Sequence, residues 1–211
     1  MRINYQIPSA IQRLYRGVVW RILQPHQKTV YLTFDDGCIP EVTPKVLEIL
    51  QQYNVKATFF LVGENISKHP ELLKRIISEQ HSVGCHTFKH LKGTKTPINE
   101  YLESINATDR LIRQSGGQTG LFRPPYGKIT LKQKREITKK HKIILWDLIT
   151  HDYDKTYSPQ KILNAIKKYT RNGSIILFHD SIKAQDNMLA VLPQAIEYLL
   201  SQGYDFKTIT T

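Results

Sequence analysis

Thr29-Val30-Tyr31-Leu32-Thr33-Phe34-Asp35-Asp36-Gly37 is an apolar, β-branched run that ends on two adjacent carboxylates and a glycine. Its first six residues read as a buried strand. The two carboxylates repel each other unless a cation or an arginine compensates. They are either a metal ligand beside a general base, or an Asx-type turn closing the strand before Gly37.

Outward from this stretch, short apolar runs alternate with longer amphipathic ones. Strands are expected at Ala57–Val62, Ser82–Cys85, Gly120–Phe122, Ile143–Leu148, Ser174–Phe178 and Phe206–Ile209. Helices are expected at Thr43–Tyr53, Pro70–Glu79, Pro97–Ser115, Thr130–Lys140, Pro159–Tyr169 and Met188–Gln202. Thr43-Pro44, Thr96-Pro97 and Ser158-Pro159 each place a hydroxyl before a proline, the pattern of a capped helix start. Strand–helix alternation implies a mostly parallel sheet of about seven strands, open or closed into a barrel. The chain of 211 residues suits one domain over 29–211, with 1–28 as an N-terminal arm packed on it.

Thirty Lys and Arg against eighteen Asp and Glu give +12. That balance favours an anionic partner, but no aromatic-interleaved basic motif marks a nucleic-acid site, and none is expected. No apolar run approaches a membrane span. Two cysteines, Cys38 and Cys85, exclude a disulfide-stapled fold and a cysteine-based zinc ribbon. Arginines interrupt every apolar stretch of the first 23 residues, so no secretory signal is read there. The expectation is a cytoplasmic monomer, with action at the cell envelope if another export route exists.

Ionisable residues collect after the predicted strands, the edge where parallel α/β folds gather ligands. His86 and His90 in His86-Thr87-Phe88-Lys89-His90 can share a metal if a helical turn aligns them. Arg123-Pro124-Pro125-Tyr126-Gly127 offers a cation for a carboxylate, and a stiff loop whose Tyr126 N–H could serve an oxyanion. His179 in Leu177-Phe178-His179-Asp180 ends a buried strand and is placed for acid–base work. Asp147 and Asp152 are rival partners for it.

T-F-D-D-G, H-T-x-x-H, R-P-P-Y-G and L-x-H, in this order over about residues 28–210, resemble the polysaccharide deacetylase family (NodB-homology domain, carbohydrate esterase family 4). The resemblance implies a distorted (β/α) barrel. It also implies one divalent metal, most often Zn2+, with Co2+, Ni2+ or Mn2+ as alternatives. The implied reaction removes N-acetyl groups from an amino-sugar glycan of peptidoglycan or chitin type and releases acetate. Alternatives are an O-acetyl esterase acting on xylan, an amidase on a non-sugar substrate, or a silent glycan-binding relative.

Carried over by motif, Asp36, His86 and His90 hold the metal and Asp35 is the base. Arg123 orients Asp35 or tunes its pKa, and His179 is the acid with Asp152 as its partner. Tyr126 offers its N–H to the oxyanion, Leu177 lines the acetyl pocket with Tyr153 in the wall beside it, and Pro125 joins them among the substrate and oxyanion residues. The chain departs from the family pattern D-x-x-D-W at Ile149-Thr150-His151-Asp152-Tyr153, which has Ile149 for the first aspartate and Tyr153 for the tryptophan. This leaves a flatter or more polar wall beside the acetyl group. Cys38 and Cys85 stand near the motif residues as bystanders or as a redox-sensitive pair.

Overall fold

The computed structural model describes residues 5–8, 12, 15 and 17–211. The strands are β1 (Val18–Val19), β2 (Thr29–Asp35), β3 (Thr58–Leu61), β4 (Ser82–Cys85), β5 (Leu121–Phe122), β6 (Lys142–Ile144), β7 (Leu148–Ile149), β8 (Ser174–His179) and β9 (Asp205–Phe206). They form one sheet in the order β1-β6-β5-β4-β3-β2-β8-β7, with β9 also pairing β2. Every pairing of these strands is parallel. The sheet is the curled, barrel-like α/β arrangement expected, with the helices packed around it.

The helices are α1 (Thr43–Gln52), α2 (Gly63–Lys68), α3 (Pro70–Ser78), α4 (Ile98–Gln114), α5 (Leu131–Ile137), α6 (Pro159–Tyr169) and α7 (Gln185–Ser201). Alternation along each strand decides which side chain faces which layer. Leu32, Phe34, Ile176 and Phe178 pack outward against Val46 and Leu50 of α1, Ile166 of α6, and Leu192 and Ile196 of α7. Tyr31 and Ile175 point to the other face and join Phe60, Leu121 and Ile144 in an inner cluster. A third cluster seats Tyr101 and Ile105 of α4 on Phe122 and Ile143. Each such aliphatic side chain contributes about 1.5–3 kcal/mol by leaving water.

Two expectations are corrected. Ile143–Leu148 is not one strand. It divides into β6, which pairs β5 and β1, and β7, which pairs β8 at the opposite end of the sheet. Residues 145–147 cross between the two edges, where the Leu145 N–H bonds the Val19 carbonyl and the Asp147 N–H bonds the Ile175 carbonyl. Apolar content is continuous through this run, so periodicity does not reveal the change of partner.

Of the three hydroxyl–proline pairs, only Ser158 caps a helix, accepting from the Lys161 N–H. Thr43 lies inside α1, and its hydroxyl accepts from the Ile39 N–H and donates to Asp180. Thr96 donates to the Lys92 carbonyl, and α4 starts after Pro97. Thr130 and Gln133 instead form a reciprocal capping box at α5.

Of the expected arm, 1–4, 9–11, 13, 14 and 16 lie outside the described residues. Parts of its remainder pair with the sheet, as β1 and through bridges from Gln6 to Leu148 and from Arg21 to Ser174. No helix among the described residues is long and apolar enough to cross a membrane.

Candidate active site

β2 and β8 are paired so that Asp35 sits beside His179. Both belong to the inward-facing set that includes Thr33 and Leu177. Below them Arg123 is fully buried over the Phe60 ring, 4.1 Å from its centroid. Its guanidinium donates to Asp35 Oδ1 at 2.7 Å and to the Thr33 hydroxyl at 2.8 Å. It also donates to the Ile144 and Leu145 carbonyls. A buried cation with this many acceptors is compensated, and it fixes the orientation of the Asp35 carboxylate.

The Asp36, His86 and His90 side chains converge, each offering one ligand atom, with all three atoms within 4.8 Å of one another. His86 Nδ1 lies 2.7 Å from the Arg123 carbonyl, which can only accept, so Nδ1 carries the proton and Nε2 keeps its lone pair. Burial, outweighing the pull of Asp35 and Asp36, lowers His86 to about 4 and keeps it neutral. Asp36 Oδ1 is 3.4 Å from His90 Nε2 and 3.9 Å from His86 Nε2. That oxygen is buried and has no hydrogen-bond partner among the described residues. A neutral imidazole with a free nitrogen and an orphaned carboxylate oxygen are the donors a divalent cation takes, so the residues fit the implied metal.

The two carboxylates sit differently. Asp35 is 3.7 Å from His86 through Oδ2 and has its other oxygen on Arg123. Asp36 faces both histidines. Left-handed backbone concentrates here: of eight described non-glycine residues with positive φ, Asp36 (89°), Thr87 (63°), His90 (52°), Tyr126 (59°) and His151 (59°) lie in these loops. Such conformations are costly and collect where surroundings enforce a functional geometry. They also correct the histidine reading. His86 and His90 are not on a helical turn but in an irregular loop, brought together by the turns at Thr87 and His90.

Helix α2, unforeseen from the sequence, holds these loops. The Gly63 and Glu64 N–H groups bond the Thr87 and Phe88 carbonyls, and the Asn65 amide donates to the Asp36 carbonyl at 2.7 Å. Six residues are too few for a periodic signal. Asp180, also unassigned from the sequence, accepts from the Gly37 N–H and the Thr43 hydroxyl and ties the Asp35–Asp36 loop to the end of β8. A Cβ on Gly37 would fall 2.3 Å from its Oδ2, so this position demands glycine.

Across the β2–β8 ladder from Asp35, His179 Nδ1 is 2.8 Å from Asp152 Oδ1, and Asp152 Oδ2 accepts the His179 backbone N–H at 2.7 Å. Burial opposes the imidazolium, but the Asp152 charge and hydrogen bond, with help from Asp36 and Asp35, lift His179 to about 9. Asp147 is not the partner. It is buried against Arg171 and Ser174 at the start of β8, the opposite end of that strand from His179. Tyr153 meets the His179 ring edge-on at 5.0 Å, and Tyr126 meets His90 at 4.8 Å. Pro125 and Leu177 are buried, Leu177 two residues below His179. Cys38 and Cys85 are buried and free, with burial raising both thiols, so neither is a ready nucleophile.

The family model for polysaccharide deacetylases matches residues 23–146. A peptidoglycan-N-acetylglucosamine deacetylase of Bacillus cereus is 38% identical over 189 residues, covering 88% of this chain and 68% of the relative. The peptidoglycan-N-acetylmuramic acid deacetylase PdaC of Bacillus subtilis is 33% identical, with 89% of this chain aligned but only 39% of that protein. Among solved structures, a peptidoglycan N-acetylglucosamine deacetylase in complex with 4-naphthalen-1-yl-N-oxidanyl-benzamide superposes with a TM-score of 0.88. It is 34% identical and is covered over 95% of its length by 96% of this chain. With its strand-edge carboxylates and histidines in the same fold, this chain belongs to the polysaccharide deacetylase family.

Proposed function

We propose that the protein is a metal-dependent hydrolase that removes N-acetyl groups from an amino-sugar glycan of peptidoglycan or chitin type, releasing acetate. One observation carries this reading: the Asp36–His86–His90 cluster lies beside an arginine-paired carboxylate, Asp35, whose neighbour across the β2–β8 ladder is an aspartate-paired histidine, His179.

Asp36, His86 and His90 would hold the cation, and two imidazoles with a carboxylate favour zinc. When bound, the cation polarises the acetyl carbonyl and makes water a stronger nucleophile at neutral pH. Asp35, held by Arg123, takes the proton of the attacking water. The Tyr126 N–H, on a loop stiffened by Pro124 and Pro125, supports the negative charge that develops on the carbonyl oxygen. His179, raised to about 9, is an imidazolium at neutral pH and donates a proton to the leaving nitrogen, which is too basic to depart unprotonated.

Acetate release from peptidoglycan fragments, chitin oligomers and acetylxylan, run side by side, tests the reading. The expected result is release from the first or second and loss of release in His179→Ala with its metal retained. A metal-loaded wild type that frees no acetate from any of the three refutes it.

A further inference from the structure

A groove of about 480 Å³ opens beside the candidate active site. Tyr126 belongs to both, since its exposed ring meets His90 and also lines the groove. The walls are apolar and aromatic: Trp20, then Leu145 and Trp146 from the crossing between β6 and β7, and Ile129. The Trp146 ring lies under the Tyr126 loop, where a Cβ on Gly127 would come within 2.8 Å of it. Trp20 lies outside the 23–146 segment matched by the family model.

Three further observations bear on the occupant. Among the described residues, Lys128 and Lys134 line the groove and no aspartate or glutamate does. Lys92 does not line the groove, but its Nζ stands 5.7 Å from the centroid of the Tyr126 ring, which does. Trp20 is 8% exposed, and its buried indole N–H has no hydrogen-bond partner among the described residues. An orphaned donor of this kind is costly until an acceptor arrives. The volume is in the range of small-molecule sites. Aromatic faces suit the apolar face of a pyranose ring, and a rim with only positive charge suits an anion.

We propose that this groove is a subsite for a carboxylate-bearing pyranose, the neighbour in the glycan chain of the sugar whose acetyl group reaches the Asp36–His86–His90 cluster. The ring lies against Tyr126 and Trp146, and the carboxylate faces Lys92 and Lys128. This rests on the hydrolase reading above and adds a preference for anionic over neutral glycans.

The test measures initial rates of acetate release on a muramic-acid-containing peptidoglycan oligosaccharide with free carboxylates, and on the same oligosaccharide after methyl esterification. The wild type should favour the free form by about fivefold or more in KM, the size expected of two partly exposed ion pairs. In the double variant Lys92→Gln/Lys128→Gln that ratio should collapse to near one, and Lys92→Arg/Lys128→Arg should restore it. A wild type that treats both forms alike, or a glutamine variant that keeps the preference, overturns the subsite while the hydrolase reading stands. No acetate from either form with wild type, or from chitin oligomers, overturns the hydrolase reading and the subsite with it.

Discussion

Asparagine at position 152 keeps the size of the aspartate and removes its charge, so Asp152→Asn isolates what holds the proton on His179. In the wild type one Asp152 oxygen lies 2.8 Å from His179 Nδ1, and the other accepts the His179 N–H. His179 rises from an ordinary 6.5 to about 9 against burial that opposes it. The difference is worth about 3 kcal/mol in favour of the imidazolium. Without the carboxylate, burial dominates and His179 falls below its ordinary value. If His179 donates the proton to the leaving nitrogen, the alkaline limb of kcat/KM moves from near 9 to below 6.5. Activity at about pH 7.5 then falls roughly tenfold or more.

Stability moves with the same group. A folded pKa raised above the unfolded value stabilises fully below 6.5, and the contribution fades as pH rises through about 9. The wild-type denaturant midpoint should therefore drop across that window, and Asp152→Asn should lack the drop. Acetate release and urea unfolding between about pH 5 and pH 10 read both effects. Metal content should hold steady, because Asp152 is outside the Asp36–His86–His90 cluster. An alkaline limb that stays near 9 in Asp152→Asn would refute the reasoning.

Asp36→Asn and His86→Ala should each lower bound zinc from about one ion per chain to near zero by elemental analysis, with the circular dichroism of the fold kept. Arg123→Met strands the buried Asp35 carboxylate and two carbonyls, and should cost about 3–5 kcal/mol in urea unfolding. Ser158→Ala should lose about 1 kcal/mol by the same measurement, whereas Thr96→Ala, which removes no helix cap, should lose only a few tenths.

What could be read from the chain was whatever leaves a local trace. Thr29–Phe34 and Ser174–Phe178 announce buried strands through β-branched, apolar runs, and both appear within a residue of the expected ends. Pro159–Tyr169 starts and stops as its capping serine and amphipathic spacing suggest. The ionisable residues after the strands were visible for the same reason, as polar breaks in apolar text.

What stayed hidden depends on distant parts of the chain. Nothing near Asp147 shows that its charge is met by Arg171 rather than by His179, because that choice is made by the pairing of β7 with β8. Leu145 to Asp147 look like strand interior, yet they carry the chain between the two ends of the sheet. Asn65 and Asp180 act on main-chain groups of the ligand loops, and an asparagine or aspartate that bonds a backbone has no pattern of its own.

The register of β2 on β8 has a lasting consequence. Because Asp35 and His179 occupy one rung of a parallel ladder, their separation is inherited from main-chain hydrogen bonding rather than from any loop. The surfaces that meet substrate can therefore lengthen, shorten or change composition over generations while proton acceptor and proton donor keep their spacing. A slip of a single residue in either strand, by contrast, would turn one of the two out of the interior, so tolerance to change at the rim coexists with intolerance in the ladder beneath it.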